Sequence, residues 1–278
     1  MGEPVFRAGP YKDLYIYLLE GVLREEDEDI FGGAFLGNWQ EENTSFLFFS
    51  RPALEPVARL LRVRPDLEFE GEYYFTYDEW QGAALAGQEI DRFLIVPPWL
   101  KGPEVDRLTR IILDPGVVFG NCLHPTTRDC LKALSYLAEK TDLGRVVDLG
   151  TGTGILAIAA SLLGAKDVLA IDLNPLCVKT ARRNIELNGL GRGICLTRGQ
   201  AGDFLQEPAD LVVANIHYDV IKELFEKRLF RKKQRLIFSG LMRSQARETK
   251  SQLVEGGFRL LREWDNEMTW FTLLAAAE

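Results

Sequence analysis

Three short stretches carry residue types whose spacing suits chemistry. In VDLGTGTGIL, Asp148 precedes a turn with glycines at 150, 152 and 154. An apolar run, RVVDLG, leads into that turn and a second, ILAIAASLLG, leaves it. Glycine there permits a tight turn and lets a ligand approach the main chain closely. The pattern is G-x-G-x-G. A dinucleotide fingerprint counted from Gly150 needs glycine at 155, where Ile155 stands, and there is no Gly-Lys-Ser/Thr of a phosphate loop. Asp172 ends the next apolar run, DVLAID, 22 residues after Gly150, where a carboxylate can accept both hydroxyls of a ribose. The second stretch, FGNCLHPTTRD (119–129), holds His124, one of only two histidines. Its Gly, Asn and Pro break regular structure and Thr-Thr favours caps and turns, so neither helix nor strand is expected there. The third is DLVVANIHY, in which the other histidine, His217, follows Asn215-Ile216.

These residues need a scaffold, and the surrounding pattern supplies one. Candidate strands are RVVDLG (145–150), DVLAID (167–172), ICLTRG (194–199), DLVVANI (210–216) and RLIFSGL (235–241), separated by apolar or amphipathic helical segments. Near-continuous apolar strands alternating with helices imply a parallel sheet covered on both faces. Such sheets bind ligands at the carboxyl ends of their strands. The last segment, FRLLREWDNEMTWFTLLAA, reads as two strands around a polar turn, an antiparallel hairpin.

Upstream, PPWLKGPE (97–104) has the composition of a linker. It separates a smaller α+β domain, residues 1–100, from residues 105–278. In the smaller domain LYIYLLEG (14–21) reads as a strand, AFLGNW and SFLFFS as a hairpin, and PALEPVARLLRV (52–63) as a short helix. EYYFTYDEW (72–80) is rich in aromatics, and FLIVPPW (93–99) reads as the domain's last strand.

The 278 residues are 46% hydrophobic and 27% charged, ordinary for a soluble globular chain. No apolar run reaches the ~18 residues of a membrane span, and no secretory signal is expected at the N-terminus. The four cysteines form no C-x-x-C pair and have no histidine at ligand spacing, so no metal site is expected. Free cysteines without a signal suggest a reducing cytoplasm. Residues 1–100 hold 19 acidic and 8 basic side chains, while residues 101–278 hold 22 and 25. This asymmetry reads either as a solvated acidic surface or as steering of a basic partner. Phosphates would be repelled by the first hundred residues, so direct nucleic-acid binding is not expected.

The G-x-G-x-G turn, its preceding Asp and the acidic end of the second strand together resemble motifs one and two of class I methyltransferases, which use S-adenosyl-L-methionine. LDPGVVFGNCLHPTT before the turn, DLNPLCVKTARRNIELNGL from Asp172, VVANI and SGLMRSQ then form an ordered series. The series resembles the bacterial methyltransferases of ribosomal protein L11, the PrmA family, over residues 93–278. The first 92 residues match only in size and rough strand order. The resemblance implies a class I (Rossmann-like) α/β sheet with helices on both faces and a C-terminal antiparallel hairpin. It implies an N-terminal domain that holds a basic ribosomal-protein substrate, and methylation of amino groups. It carries cofactor binding onto Phe119, Thr126, Thr127, Asp148, Gly150, Gly152, Gly154, Asp172 and Asn215. In the family the first segment typically reads D-P-G-x-x-F-G-T-G-x-H-x-T-T; its T-G is Asn121-Cys122 here.

Methyl transfer from a sulfonium is an in-line displacement, so orienting the acceptor lone pair is a large part of catalysis. A lysine acceptor must first lose a proton from a group of reference pKa ~10.4. The catalytic candidates are Asn215, His217 and His124. His217 positions the amine or accepts its proton, or is only a polar residue opening a helix. His124 sits in a loop that closes over the cofactor, or only pins its own backbone. Asn215-Ile216-His217-Tyr218 keeps the Asn and Tyr, but neither proline, of the N-P-P-Y that serves planar amide and adenine nitrogens. Another protein, a planar nitrogen or a small molecule therefore remains an alternative acceptor. A divergent relative that binds cofactor with little turnover is a third reading, motivated by Asn121-Cys122.

Overall fold

A computed structural model describes residues 11–76, 79–80, 87–100, 107–118, 124–206 and 208–278. The chain divides into two compact units, residues 1–85 with 99–101, and residues 86–98 with 102–278. In the first, β1 (Asp13–Glu20), β2 (Phe35–Glu41), β3 (Thr44–Phe49) and β4 (Glu68–Thr76) form an antiparallel sheet in the order β2-β3-β1-β4. Helix α1 (Leu54–Val63) contributes Val57 and Leu60 to a core with Tyr17, Leu19, Leu47 and Phe49. The alternation of apolar residues along β1 and β3 selects that face.

The second unit holds two sheets. In the smaller, β6 (Phe93–Val96) pairs antiparallel with β5 (Gln88–Ile90) and parallel with β7 (Thr109–Ile112). The strand read from the sequence as the close of the first domain thus belongs to the second unit, because its partners lie there. The larger sheet has seven strands: β8 (Arg145–Leu149), β9 (Asp167–Asp172), β10 (Ile194–Arg198), β11 (Leu211–Asn215), β12 (Arg235–Leu241), β13 (Phe258–Asn266) and β14 (Trp270–Ala277). Their order is β10-β9-β8-β11-β12-β14-β13. The first five are parallel, and β13–β14 is the expected antiparallel hairpin.

Helices α2 (Pro125–Ala138), α3 (Ile155–Leu162) and α4 (Pro175–Leu187) share one core with Val146, Val213 and Ile237. Helices α5 (Tyr218–Glu226) and α6 (Arg243–Glu255) share the other with Val147, Val212 and Phe238. Neighbouring strand residues serve opposite faces, which is why these strands read as unbroken apolar runs. Among the described residues no helix is long and apolar enough to cross a membrane.

A second sequence expectation is corrected. Residues 119–129 were expected to hold neither helix nor strand, yet α2 starts at Pro125. Proline fits the first helical turn because it lacks an N–H that would have no partner there. The His124 side chain caps the turn by accepting the Thr126 N–H.

The approach to the larger sheet is held by two asparagines one helical turn apart on α4. Asn184 is fully buried; its Oδ1 accepts the Asp114 N–H at 2.8 Å, and its Nδ2 donates to Asp114 O at 2.9 Å and Thr153 O at 2.8 Å. Asn188 treats Ile112 the same way, accepting its N–H at 2.9 Å and donating to its carbonyl at 2.7 Å. Two carboxamides thus pair with an extended backbone as a neighbouring strand would. The Asp114 carboxylate, itself buried, accepts from Arg183 Nε at 2.9 Å and from the Gly116 N–H. Asn184→Ala removes three buried hydrogen bonds to the main chain. It is expected to cost about 3 kcal/mol, against about 1 kcal/mol for the less buried Asn188→Ala. Urea unfolding of both variants measures the difference.

Candidate active site

The turn after β8 is built by backbone geometry. Gly150, Gly152 and Gly154 all have positive φ, at 68°, 55° and 85°, a region L-residues with side chains seldom adopt. Space adds a second constraint at Gly150, where a Cβ would sit 2.2 Å from Ile216 Cγ2. The Thr151 N–H bonds to Ile171 O at 2.9 Å, and the Gly154 N–H returns to Thr151 O at 2.8 Å.

Two carboxylates flank this turn in different ways. Asp148 is buried beneath it and accepts from the Thr151 hydroxyl at 2.6 Å. Burial pushes its pKa up to about 7, against the lowering effect of that hydroxyl. That bond ties it to the turn from below. Asp172 ends β9, half-buried, and accepts the Gly152 N–H and the Asn174 N–H, each at 2.9 Å. Burial raises its pKa too, opposed by those backbone donors. The second strand's acid therefore holds the first strand's glycine turn directly.

Gly150 and Asp172 line a cavity of about 410 Å³ at the carboxyl ends of the parallel strands. Its wall includes residues 199–203 after β10, Ile216 after β11, and Val220 and Lys227 near α5. Lys227 forms an ion pair with Glu223, which also lines the cavity. The 199–203 wall was missed from sequence, although Gly199 and Gly202 in RGQAGDF mark a turn after a strand.

A second cluster lies at the end of β11. Asn215 Nδ2 donates to Thr127 Oγ1 at 3.4 Å, so these two expected site residues meet. The Thr126 carbonyl accepts from Ser239 Oγ at 3.2 Å, which fastens α2 to β12. Gly240, not singled out from sequence, has φ 80°. A Cβ there would lie 3.3 Å from Ile216 O and 3.4 Å from Asn215 Oδ1. Its missing side chain leaves a notch beside two hydrogen-bond acceptors.

The two histidines differ. His124 Nδ1 lies 2.7 Å from the Thr126 hydroxyl, and the ring meets Trp270 edge-on with centroids 4.9 Å apart. Burial lowers its pKa, which favours the neutral ring. His217 is the N-cap of α5 but makes no side-chain cap bond; its exposed ring lies 3.3 Å from Asp219. Neither histidine lines the cavity. Phe119 and the Asn121-Cys122 departure lie outside the described residues.

The strand order, the glycine turn latched by the acid of the next strand, and the carboxyl-end cavity define a class I methyltransferase fold. The family model "Ribosomal protein L11 methyltransferase (PrmA)" matches residues 79–278, and the chain belongs to that family. It is 40% identical over 173 residues to the ribosomal protein L11 methyltransferase of Anoxybacillus flavithermus, covering 61% of this chain and 55% of the relative. To that of Desulfitobacterium hafniense it is 41% identical over 185 residues, covering 66% and 58%. The chain thus spans less than two thirds of these curated relatives. The crystal structure of a ribosomal protein L11 methylase from Lactobacillus delbrueckii subsp. bulgaricus is similar at TM-score 0.60 and 31% identity, covering 68% of this chain and 96% of that one.

Asp148 gives a signed pH dependence. Its unfolded pKa is ~3.9 and its folded one about 7. Between them the unfolded chain releases a proton that the folded chain keeps, so this group's contribution to stability falls as pH rises across that window. Asp148→Asn removes the contribution. Denaturation midpoints are expected to fall less steeply with pH in the variant than in the wild type.

Proposed function

We propose that this chain is an S-adenosyl-L-methionine-dependent N-methyltransferase whose acceptor is an amino group of ribosomal protein L11, a lysine side chain or the N-terminus. The observation that carries the reading is the convergence of Gly150, Asp172, Gly199 and Ile216 on one cavity at the carboxyl ends of four parallel strands. Open α/β sheets bind ligands there, and the relatives are named for that protein.

The residues fit an adenosyl ligand. Burial disfavours the charged form of Asp172, and the hydroxyl donors of a ribose would favour it again. Gly150 keeps main chain rather than side chain at the cavity wall. Gly150, Gly152, Asp172 and residues 199–203 would hold the nucleoside portion, while Asn215, next in the chain to the cavity residue Ile216 and bonded to Thr127, would face the amino-acid portion. When bound, S-adenosyl-L-methionine supplies a methyl group on a positively charged sulfur.

The rest of the work falls to the chain's own residues. Asn215 Oδ1 and the Ile216 carbonyl, beside the Gly240 notch, accept N–H bonds of the incoming amine and so aim its lone pair. Two acceptors suit an amine that has lost its third proton, and desolvation lowers the pKa of that amine. The neutral His124 ring holds the start of α2, and with it Thr126 and Thr127. His217 stands open to solvent beside Asp219. On this reading residues 1–100 recognise the acceptor and residues 105–278 carry the transfer, with 97–104 joining them. The partner is a basic protein, with neither nucleic acid nor membrane involved, and the site of action is the cytoplasm.

Transfer of labelled methyl to recombinant ribosomal protein L11 tests the reading. The wild type is expected to label it at lysine or N-terminal nitrogen. Asn215→Ala is expected to lose about 10²-fold in kcat through misorientation, and His217→Ala to stay close to wild type. Absence of label in L11 with the wild type, or label on an adenine or amide nitrogen instead, would refute it.

A further inference from the structure

The edges of the two larger sheets are β2, β4, β10 and β13. Three are protected in ordinary ways. β2 is buried at its centre, at Gly37 and Asn38; β10 has only five residues; β13 carries Arg259 and Arg262. β4 differs. It has nine residues and exposes six of its first seven, including Phe69, Tyr73 and Tyr74. Its sequence, EFEGEYYFT, has no lysine, arginine or proline. Among the described residues it pairs only with β1. Natural proteins rarely leave so long and aromatic an edge open, because it invites another strand.

The charges on this edge select what can pair with it. Glu68 and Glu70 are exposed, and among the described residues they enter no ion pair. A second copy of β4 would set glutamates against glutamates, which opposes self-pairing. A cationic strand meets complementary charge, and its lysine or arginine heads can lie over Tyr73 and Tyr74. Residues 1–100 carry 19 acids against 8 bases, so attraction extends beyond the contact itself. A bulge between Leu18 and Leu19 leaves Glu70 unmatched with β1, and the Thr76 N–H is taken by the Glu79 carboxylate at 2.7 Å, so residues 72–75 offer the regular pairing length.

We propose that β4 is the docking edge for an extended, lysine- or arginine-rich segment of the protein acceptor, which adds as a fifth strand and covers Phe69, Tyr73 and Tyr74. Main-chain bonds to the edge supply affinity, and the side chains of β4 supply selectivity. The inference rests on the acceptor being a basic protein, as in the proposed function.

Hydrogen exchange of the full-length chain with and without recombinant ribosomal protein L11, run beside the label-transfer assay, separates the two readings. The expected result is label in L11 together with slowed exchange of the β4 amides. Label without protection of β4 would overturn the docking edge and leave the function standing. Protection without label would do the reverse, and loss of both overturns both. Independently, Glu68→Lys with Glu70→Lys is expected to raise the KM for L11 about tenfold through like-charge repulsion, with kcat and cofactor affinity unchanged. An unchanged KM would count against the docking edge.

Discussion

The hydrogen bonds of Asn184 are the constraint on which the site depends. One buried carboxamide joins three main-chain groups from two separate segments, Asp114 before α2 and Thr153 in the glycine turn. Each segment is tied to a strand by one main-chain bond close by, Leu113 N–H to Val96 O and Thr151 N–H to Ile171 O, but Asp114 and Thr153 themselves are joined through this side chain. A side chain on α4 provides what a ladder would elsewhere. Because α4 begins at Pro175, just past Asp172, the same helix that ends the β9 connection also positions the approach to the site. Leaving any of those buried polar groups unpaired is costly, so the three pieces keep one arrangement.

From that joint the electrostatics follow. Asp148 and Asp172 are close enough to influence one another, and both are raised by burial. Their surroundings divide the roles. Asp148 lies buried under the turn with a hydroxyl partner, while Asp172 lines the cavity and bonds backbone on either side. A carboxylate held by main-chain N–H groups is fixed in orientation before any ligand arrives, which is the preorganisation a binding site needs. Gly150 and Gly240 do complementary work. Each removes a side chain beside Ile216, one facing the cavity and one facing the Asn215 notch.

Much of the second unit was legible because its signals were local and mutually consistent. All five parallel strands lie within a residue or so of the apolar runs, since strands buried on both faces carry no ambiguity of period. The glycine turn and Asp172 were legible because conformation dictates residue type there. What the sequence hid was tertiary. FLIVPPW reads as a strand equally well in either unit, and only its pairing with β7 decides. The start of α2 was masked by residues that usually break structure but here cap a helix. Asn184 and Asn188 look like solvent-facing residues of an amphipathic helix until the segment they bond is seen. Gly240 gave no sign of its notch, because the crowding arises from β11, a different strand.

The proposed function depends on the carboxyl-end cavity, lined on one side by Asp172, taking up S-adenosyl-L-methionine. Isothermal titration of the wild-type chain with that compound, repeated on Asp172→Ala, tests it most directly. Saturable one-to-one binding by the wild type is expected, with weakening of at least about tenfold in the variant, the value of one hydrogen bond to a charged group. A wild type that takes up no S-adenosyl-L-methionine, or a variant that binds it as tightly as the wild type, would contradict it.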